Sequence, residues 1–302
     1  PRRPTPARSA MAQIRQLRQR IRSVQNVAKI TNALQLVSAS KMRRAQQRAV
    51  AARPYADRMR HVLGNLAGQR ADAELTAAHP LLQQRDGNRL TLILFTPNRG
   101  LAGSLPGNLN RRAAGFLLEE GGEAQVVAVG RKGREFFGRT GTKVIAEFSE
   151  LPDDPSLADV LGISQVAVEE FLANRTDRVF VVFADFINTV TQRPVVHQLL
   201  PVRPPRQEEE EHPDREVEYI YEPSPDQVLE QLLPRYIDMI IYDAALEAAA
   251  SEQSSRFVAM KNATDAANDM IDSLTLTLNK ARQEQITKEL LDIIGGVAAV
   301  EG

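Results

Sequence analysis

The chain has 302 residues, 43% hydrophobic and 25% charged, with no cysteine, no tryptophan and four histidines, at 61, 79, 197 and 212. Disulfides, thiolate metal sites and cysteine nucleophiles are thereby excluded, the histidines lack ligand spacing, and no apolar run approaches the ~20 residues of a bilayer crossing. The formal net charge is zero, yet residues 1–70 hold 16 Lys and Arg against one acid, Asp57, while residues 207–302 hold 7 against 21. Opposite charges at opposite ends predict that the ends neutralise each other if they pair.

Residues 1–10 are proline-rich and acid-free, without the apolar core of a signal peptide, and read as a disordered leader. Residues 11–70 read as one helix. Ile14, Leu17, Ile21, Val24 and Ala28 recur at alternating spacings of three and four, and Val27, Ile30, Leu34 and Val37 are expected to continue on an adjoining seam. Glycine is absent until Gly64 and Pro54 is the only interior proline, so the expectation is a helix of roughly 55 residues, about 80 Å long, kinked near Arg53-Pro54.

Residues 71–212 have a different texture. Apolar β-rich runs at 90–95, 124–129, 143–148, 178–184 and 191–200 alternate with helical stretches near 107–120, 132–137 and 158–173, which predicts a small α/β sheet. The acidic run Glu208 to Glu211 reads as a solvated loop that closes the domain.

Residues 213–302 return to helix, from about Asp226 to Ile294, with Pro234 near its first turns and Gly295-Gly296 as the expected stop. Phe257, Met260, Thr264, Ala267, Ile271, Leu274, Leu278 and Ala281 form a heptad seam. Its small members allow a partner helix to approach closely. Two seams distant in sequence but matched in period predict an antiparallel coiled coil with the α/β domain inserted between the N- and C-terminal helices. The longer C-terminal helix then leaves Ile286, Leu290, Leu291, Ile293, Ile294, Val297 and Val300 without an internal partner, which points to a partner protein.

Catalytic chemistry is hard to find. Gly100, Gly103 and Gly107 follow a strand and open a helix, as in a phosphate cradle, but the Lys-Ser/Thr ending of a P-loop and dinucleotide spacing are missing. This loop, like Gly130 and Gly133, reads as a structural turn. No acid pair or triad stands out, and no cofactor or metal is expected. The rival function is a basic coiled-coil protein that binds nucleic acid. Against it, Tyr55 is the only aromatic ring of Phe, Tyr or Trp type in the first 60 residues, so stacking platforms are missing.

Several blocks in order resemble the gamma subunits of F-type ATP synthases, the central stalk. They are IRSVQNVAKITNALQLVSASKMRRAQ (21–46), ARPYADRM (52–59), NRGLAG (98–103), FINT (186–189), YIYEPSP (219–225), SEQSSRFVAMKNATDAANDMI (251–271) and NKARQEQITKELLDIIGG (279–296). Departures are small: Asn98, Ala102, Leu34 and Val297 stand where the family commonly has Asp, Cys, Met and Ala. The Cys-bearing insert of chloroplast forms is missing, so thiol regulation is not expected.

The resemblance implies a Rossmann-like central domain and a non-catalytic chain, peripheral on the cytoplasmic side of a bacterial plasma membrane. It implies partners too: the alpha and beta subunits of a catalytic hexamer, an epsilon subunit and a c-subunit ring, with no nucleic acid. Arg282 and Gln283 would meet a loop of a beta subunit, and Ile286, Leu290 and Ile294 would turn in an apolar bearing. Lys41, Arg43 and Arg44 are candidates for the acidic lever loops of the beta subunits, with a solvated basic face as the alternative. Tyr219, Tyr221 and Glu222 are candidates for the foot on the c ring and epsilon, with a strand packed on the sheet as the alternative.

Overall fold

The computed structural model describes residues 6–68, 79–204 and 221–301. The acidic run 208–211 lies outside them. The chain divides into two compact units: residues up to Val37 with those from Phe257 onward, and Ser38–Arg256. Two helices contribute to both, α1 (Pro6–Gly68, 63 residues) and α5 (Pro225–Glu301, 77 residues). Among the described residues no helix is long and apolar enough to cross a membrane.

The second unit is built on five strands: β1 (Leu90–Phe95), β2 (Ala124–Val129), β3 (Lys143–Phe148), β4 (Arg178–Phe186) and β5 (Gln192–Leu200). Their order is β3-β2-β1-β4-β5, parallel except for β5, which returns antiparallel beside β4 with Val196 opposite Val182. Helices α2 (Leu105–Glu120), α3 (Arg131–Thr140) and α4 (Leu157–Leu172) alternate with the strands. The first three strands occupy the residues expected from their apolar runs.

Because side chains alternate across a strand, each central strand feeds two cores. Leu92, Leu94, Val126, Ala128, Phe180 and Val182 pack with Leu109, Phe116 and Phe137 of α2 and α3. Ile93, Phe95, Val127, Val129, Val181 and Phe183 pack on the other face with Ile163 and Phe171 of α4, Leu63 and Leu66 of α1, and Leu233, Ile237 and Ile241 of α5. The helices are therefore part of the sandwich in this unit, and the sheet cannot complete its core without them. Ser164 of α4 adds a hydrogen bond to Asp238 of α5.

The helix bounds differ from the sequence reading at both ends. Residues 6–10, read as leader, are helical; alanine and arginine here favour helix, and Pro6 sits where a missing N–H is harmless. Gly295 and Gly296 lie inside α5 instead of stopping it. A glycine in helix costs only about 1 kcal/mol, and no residue in an αL conformation ends the helix there. Pro54 also lies inside α1, which runs on to Gly68.

The N-terminal edge of the sheet is held by ions. Asp177, 3% exposed, accepts from Arg89 through Nη2 (2.6 Å), Nε (2.9 Å) and the backbone N–H (3.0 Å). Arg85 stacks on Phe171 at 3.9 Å and donates to the Phe171 and Thr176 carbonyls. The hydrogen bonds from Arg89 hold the Asp177 carboxyl below its ordinary range. The associated stabilisation is intact above the unfolded-state value of about 3.9 and is lost as pH falls through the lowered native value. Asp177→Asn should therefore cost about 3 kcal/mol at pH 7, and its melting temperature should approach that of the unaltered chain only as pH falls below the unfolded-state value and through the lowered native one.

Candidate functional site

In the first unit the heptad seam of α5 is where the sequence placed it. Met260 and Ala267 are buried and Thr264, Ile271, Leu274, Leu278 and Ala281 half-buried, while most positions between them are exposed. On α1 the matching line is Ile14, Leu17, Ala28 and Thr31, which are buried, with Ile21, Val24 and Gln35 half-buried between and beyond them. The register is set by a hydrogen bond of 2.7 Å between the Thr31 and Thr264 hydroxyls. The buried run of α1 lies on the N-terminal side of that bond and the buried run of α5 on its C-terminal side, so the helices are antiparallel. Alternating steps of three and four then set Ala28 against Ala267, Val24 against Ile271, Ile21 against Leu274, Leu17 against Leu278 and Ile14 against Ala281.

One expectation fails here. Of the adjoining seam, Val27, Ile30 and Val37 are 50%, 60% and 51% exposed, and only Leu34 is half-buried. The heptad instead continues in phase through Thr31, a polar residue tolerated because its hydroxyl has a partner. Among the described residues of this unit no ion pair joins the two helices. Arg15, Arg18, Arg20, Arg22 and Lys29 are exposed on α1, and Asp265, Asp269 and Asp272 are exposed on α5.

The other candidate residues are widely spread. Arg282 and Gln283 are exposed beside the seam residue Ala281. Ile286, Leu290 and Ile294 are 52%, 54% and 63% exposed, with Leu291 and Ile293 alike. Lys41 is half-buried and pairs with Asp153 in residues 149–156, where Arg48 also pairs with Asp154 at 2.8 Å; Arg43 and Arg44 are exposed. Tyr221 packs against the core shared by α4, α1 and α5, Glu222 is exposed, and Tyr219 lies outside the described residues.

Open α/β sheets commonly bind ligands at the C-terminal strand ends, where helix N-termini offer free amides. Here the chain occupies those amides itself at α3. The Arg131, Lys132 and Gly133 N–H groups donate to the Asn98 side chain (3.0 Å), the Pro97 carbonyl (3.2 Å) and the Thr96 hydroxyl (2.8 Å). Gly130 makes this possible: its φ is +102°, and a Cβ there would lie 1.9 Å from the Thr96 carbonyl oxygen. The glycines of VGRKG thus serve a loop-to-loop clasp.

The NRGLAG loop is docked in turn on α5. Ser255 donates to the Ala102 carbonyl (2.7 Å), and Arg256 reaches the Gly100 carbonyl (3.5 Å) while pairing with Glu252 at 2.6 Å. Burial pushes the Glu252 carboxyl up, against the pull of Arg256. Beside it Ser254 donates to the Thr189 carbonyl (2.8 Å), one turn earlier Ser251 donates to the Ala184 carbonyl (2.8 Å), and one turn before that Glu247 accepts from the Phe186 N–H (3.0 Å). The spacing 247, 251, 254 and 255 puts all four on one helix face. Sequence reading missed this role; the signal was a cluster of serines in the middle of a long helix, where they are poor helix formers.

Two outcomes check this geometry. A double-mutant cycle with Thr31→Ala and Thr264→Ala, followed by thermal melting, should give a coupling of about 1 kcal/mol. Gly130→Ala should destabilise the chain by at least about 2 kcal/mol, because strain at positive φ adds to the backbone clash.

Comparison with known proteins agrees with this architecture. The family model described as ATP synthase matches residues 13–300. The ATP synthase gamma chain of Dehalococcoides mccartyi strain 195 is 47% identical over 290 residues, covering 96% of this chain and all of its own. That of Roseiflexus sp. strain RS-1 is 47% identical over 296 residues, covering 96% and 99%. A chain from the structure of Euglena gracilis mitochondrial ATP synthase shares the fold, with a TM-score of 0.65 at 19% identity over 96% of this chain and 95% of its own. On the match to the family model and the identity over nearly its whole length, the chain belongs to the ATP synthase gamma-chain family.

Proposed function

We propose that this chain is the rotating central shaft of an ATP synthase, coupling proton flow through a membrane c ring to ATP synthesis and hydrolysis at the beta subunits of an alpha/beta hexamer. The observation that carries the reading is the antiparallel helical pair in a chain 47% identical to gamma chains across 96% of its length. The exposed apolar C-terminal run of α5 fits the same role. The chain itself hydrolyses nothing. It works peripherally, on the cytoplasmic face of a bacterial plasma membrane, with epsilon as a further partner.

The mechanism follows from asymmetry. A pair of dissimilar helices inside a pseudo-threefold ring touches each beta subunit differently. Any contact that differs between two conformations of a site shifts their equilibrium by its differential energy. Turning the shaft carries that bias from one site to the next, so the three sites change state in sequence.

Torque needs grip at some levels and slip at others. Arg282 and Gln283 supply the grip, through directional hydrogen bonds of about 1.5–3 kcal/mol each when one partner is charged. Ile286, Leu290 and Ile294 supply the slip, since apolar contact is non-directional. Arg43 and Arg44 face acidic loops of the hexamer, with Lys41 shared between that role and Asp153. Tyr219, Tyr221 and Glu222 belong to the foot near the c ring and epsilon.

Co-expression with the relatives' alpha and beta subunits should yield a complex that co-purifies at high salt. Salt-sensitive retention of DNA without those subunits would overturn the reading. In the assembled enzyme, Arg282→Ala with Gln283→Ala should lower ATP synthesis about tenfold while leaving assembly intact. Removing the residues after Ile286 should weaken torque or assembly more than hexamer catalysis; full synthesis from that truncation would remove the bearing from the account.

A further inference from the structure

Two kinds of contact hold α5 to the sheet in the second unit, and they resist different motions. Leu233, Ile237 and Ile241 bury apolar surface against the strands. That contact opposes separation, but it has no preferred direction and yields to rolling of the helix about its own axis. The hydrogen bonds donated by Ser251, Ser254 and Ser255 and accepted by Glu247 are directional, and rolling by a fraction of a turn breaks them. Ser251 and Ser254 are fully buried, so a broken bond strands a hydroxyl away from water, which raises the resistance further.

Their partners are spread across two strands. Ser251 and Glu247 reach Ala184 and Phe186 of β4, Ser254 reaches Thr189 in the β4–β5 turn, and Ser255 reaches Ala102 in the loop after β1. Gln192 of β5 adds a bond to the Ser254 hydroxyl at 3.4 Å. A single pivot could still turn. Contacts with separate strand ends fix the helix at several points around one face.

We propose that Ser251, Ser254 and Ser255, with Glu247, form a torsional joint: positioning residues that stop α5 from rolling within the α/β layers, so that torque taken up by the layers reaches the helix. The inference rests on the rotary function proposed above. It adds the route by which twist crosses inside the chain, through short polar side chains and not through the apolar core.

The test uses ATP synthase assembled with the full chain in inverted membrane vesicles, reading ATP hydrolysis and ATP-driven proton pumping together. Ser251→Ala with Ser254→Ala and Ser255→Ala should leave hydrolysis within about twofold and lower protons pumped per ATP at least about fivefold. A role in stability alone would lower both rates in step and leave the ratio unchanged, which overturns the joint.

Where the triple variant gives no complex, Ser254→Ala alone carries the readout, with a ratio lowered about twofold in support and an unchanged ratio against. The unaltered chain is the baseline. No complex or no pumping there refutes the rotary function itself, whereas normal pumping in both refutes only the joint.

Discussion

Burial of two narrow helical seams, each useless alone, is the constraint on which this molecule depends. An isolated helix with a two-residue-in-seven apolar stripe has too little surface to hide in water, and its stability comes from a partner. The partner segments here lie more than 200 residues apart, at Thr31 and Thr264. Everything between must therefore return the chain to meet its own beginning. The α/β layers accomplish that, and in doing so they recruit Leu63 and Leu66 from one helix and Leu233, Ile237 and Ile241 from the other into their own core.

The small side chains of the seam matter as much as the large ones. Ala28 against Ala267, next to paired threonine hydroxyls, gives a close and thin contact that buries little apolar area. Ile21 against Leu274 and Leu17 against Leu278 bury more. Stability is thus uneven along the pair, and outward positions remain free to carry charge of either sign for partners elsewhere. A helix made to satisfy itself completely would have nothing left to offer.

The strand runs were legible because buried parallel strands announce themselves as unbroken apolar stretches, and LTLILF and AQVVAV are buried where they were expected. The α5 seam was legible because its period is regular. The α1 seam was not fully so: Thr31 and Gln35 hide it in a plot of hydrophobicity, while the exposed Val27, Ile30 and Val37 imitate it. Only a cross-helix hydrogen bond, invisible in one dimension, distinguishes them. The serine face at 251, 254 and 255 was hidden for a similar reason, since the carbonyls it serves come from three other parts of the chain. Surfaces such as Arg282 and Gln283, which are exposed and make no hydrogen bond or ion pair among the described residues, carry meaning only through resemblance.

The threonine pair holds one more consequence. Three contacts surround the two hydroxyls: Thr31 to the Ala28 carbonyl at 3.1 Å, Thr264 to the Met260 carbonyl at 2.9 Å, and each to the other. Two protons cannot fill three contacts. Either hydroxyl can donate across the gap while its neighbour bonds back to its own helix, so the bridge has two proton arrangements and survives a swap between them. A tie that can be written in two ways loses less entropy than one locked in a single form, and that suits a joint asked to flex without letting go.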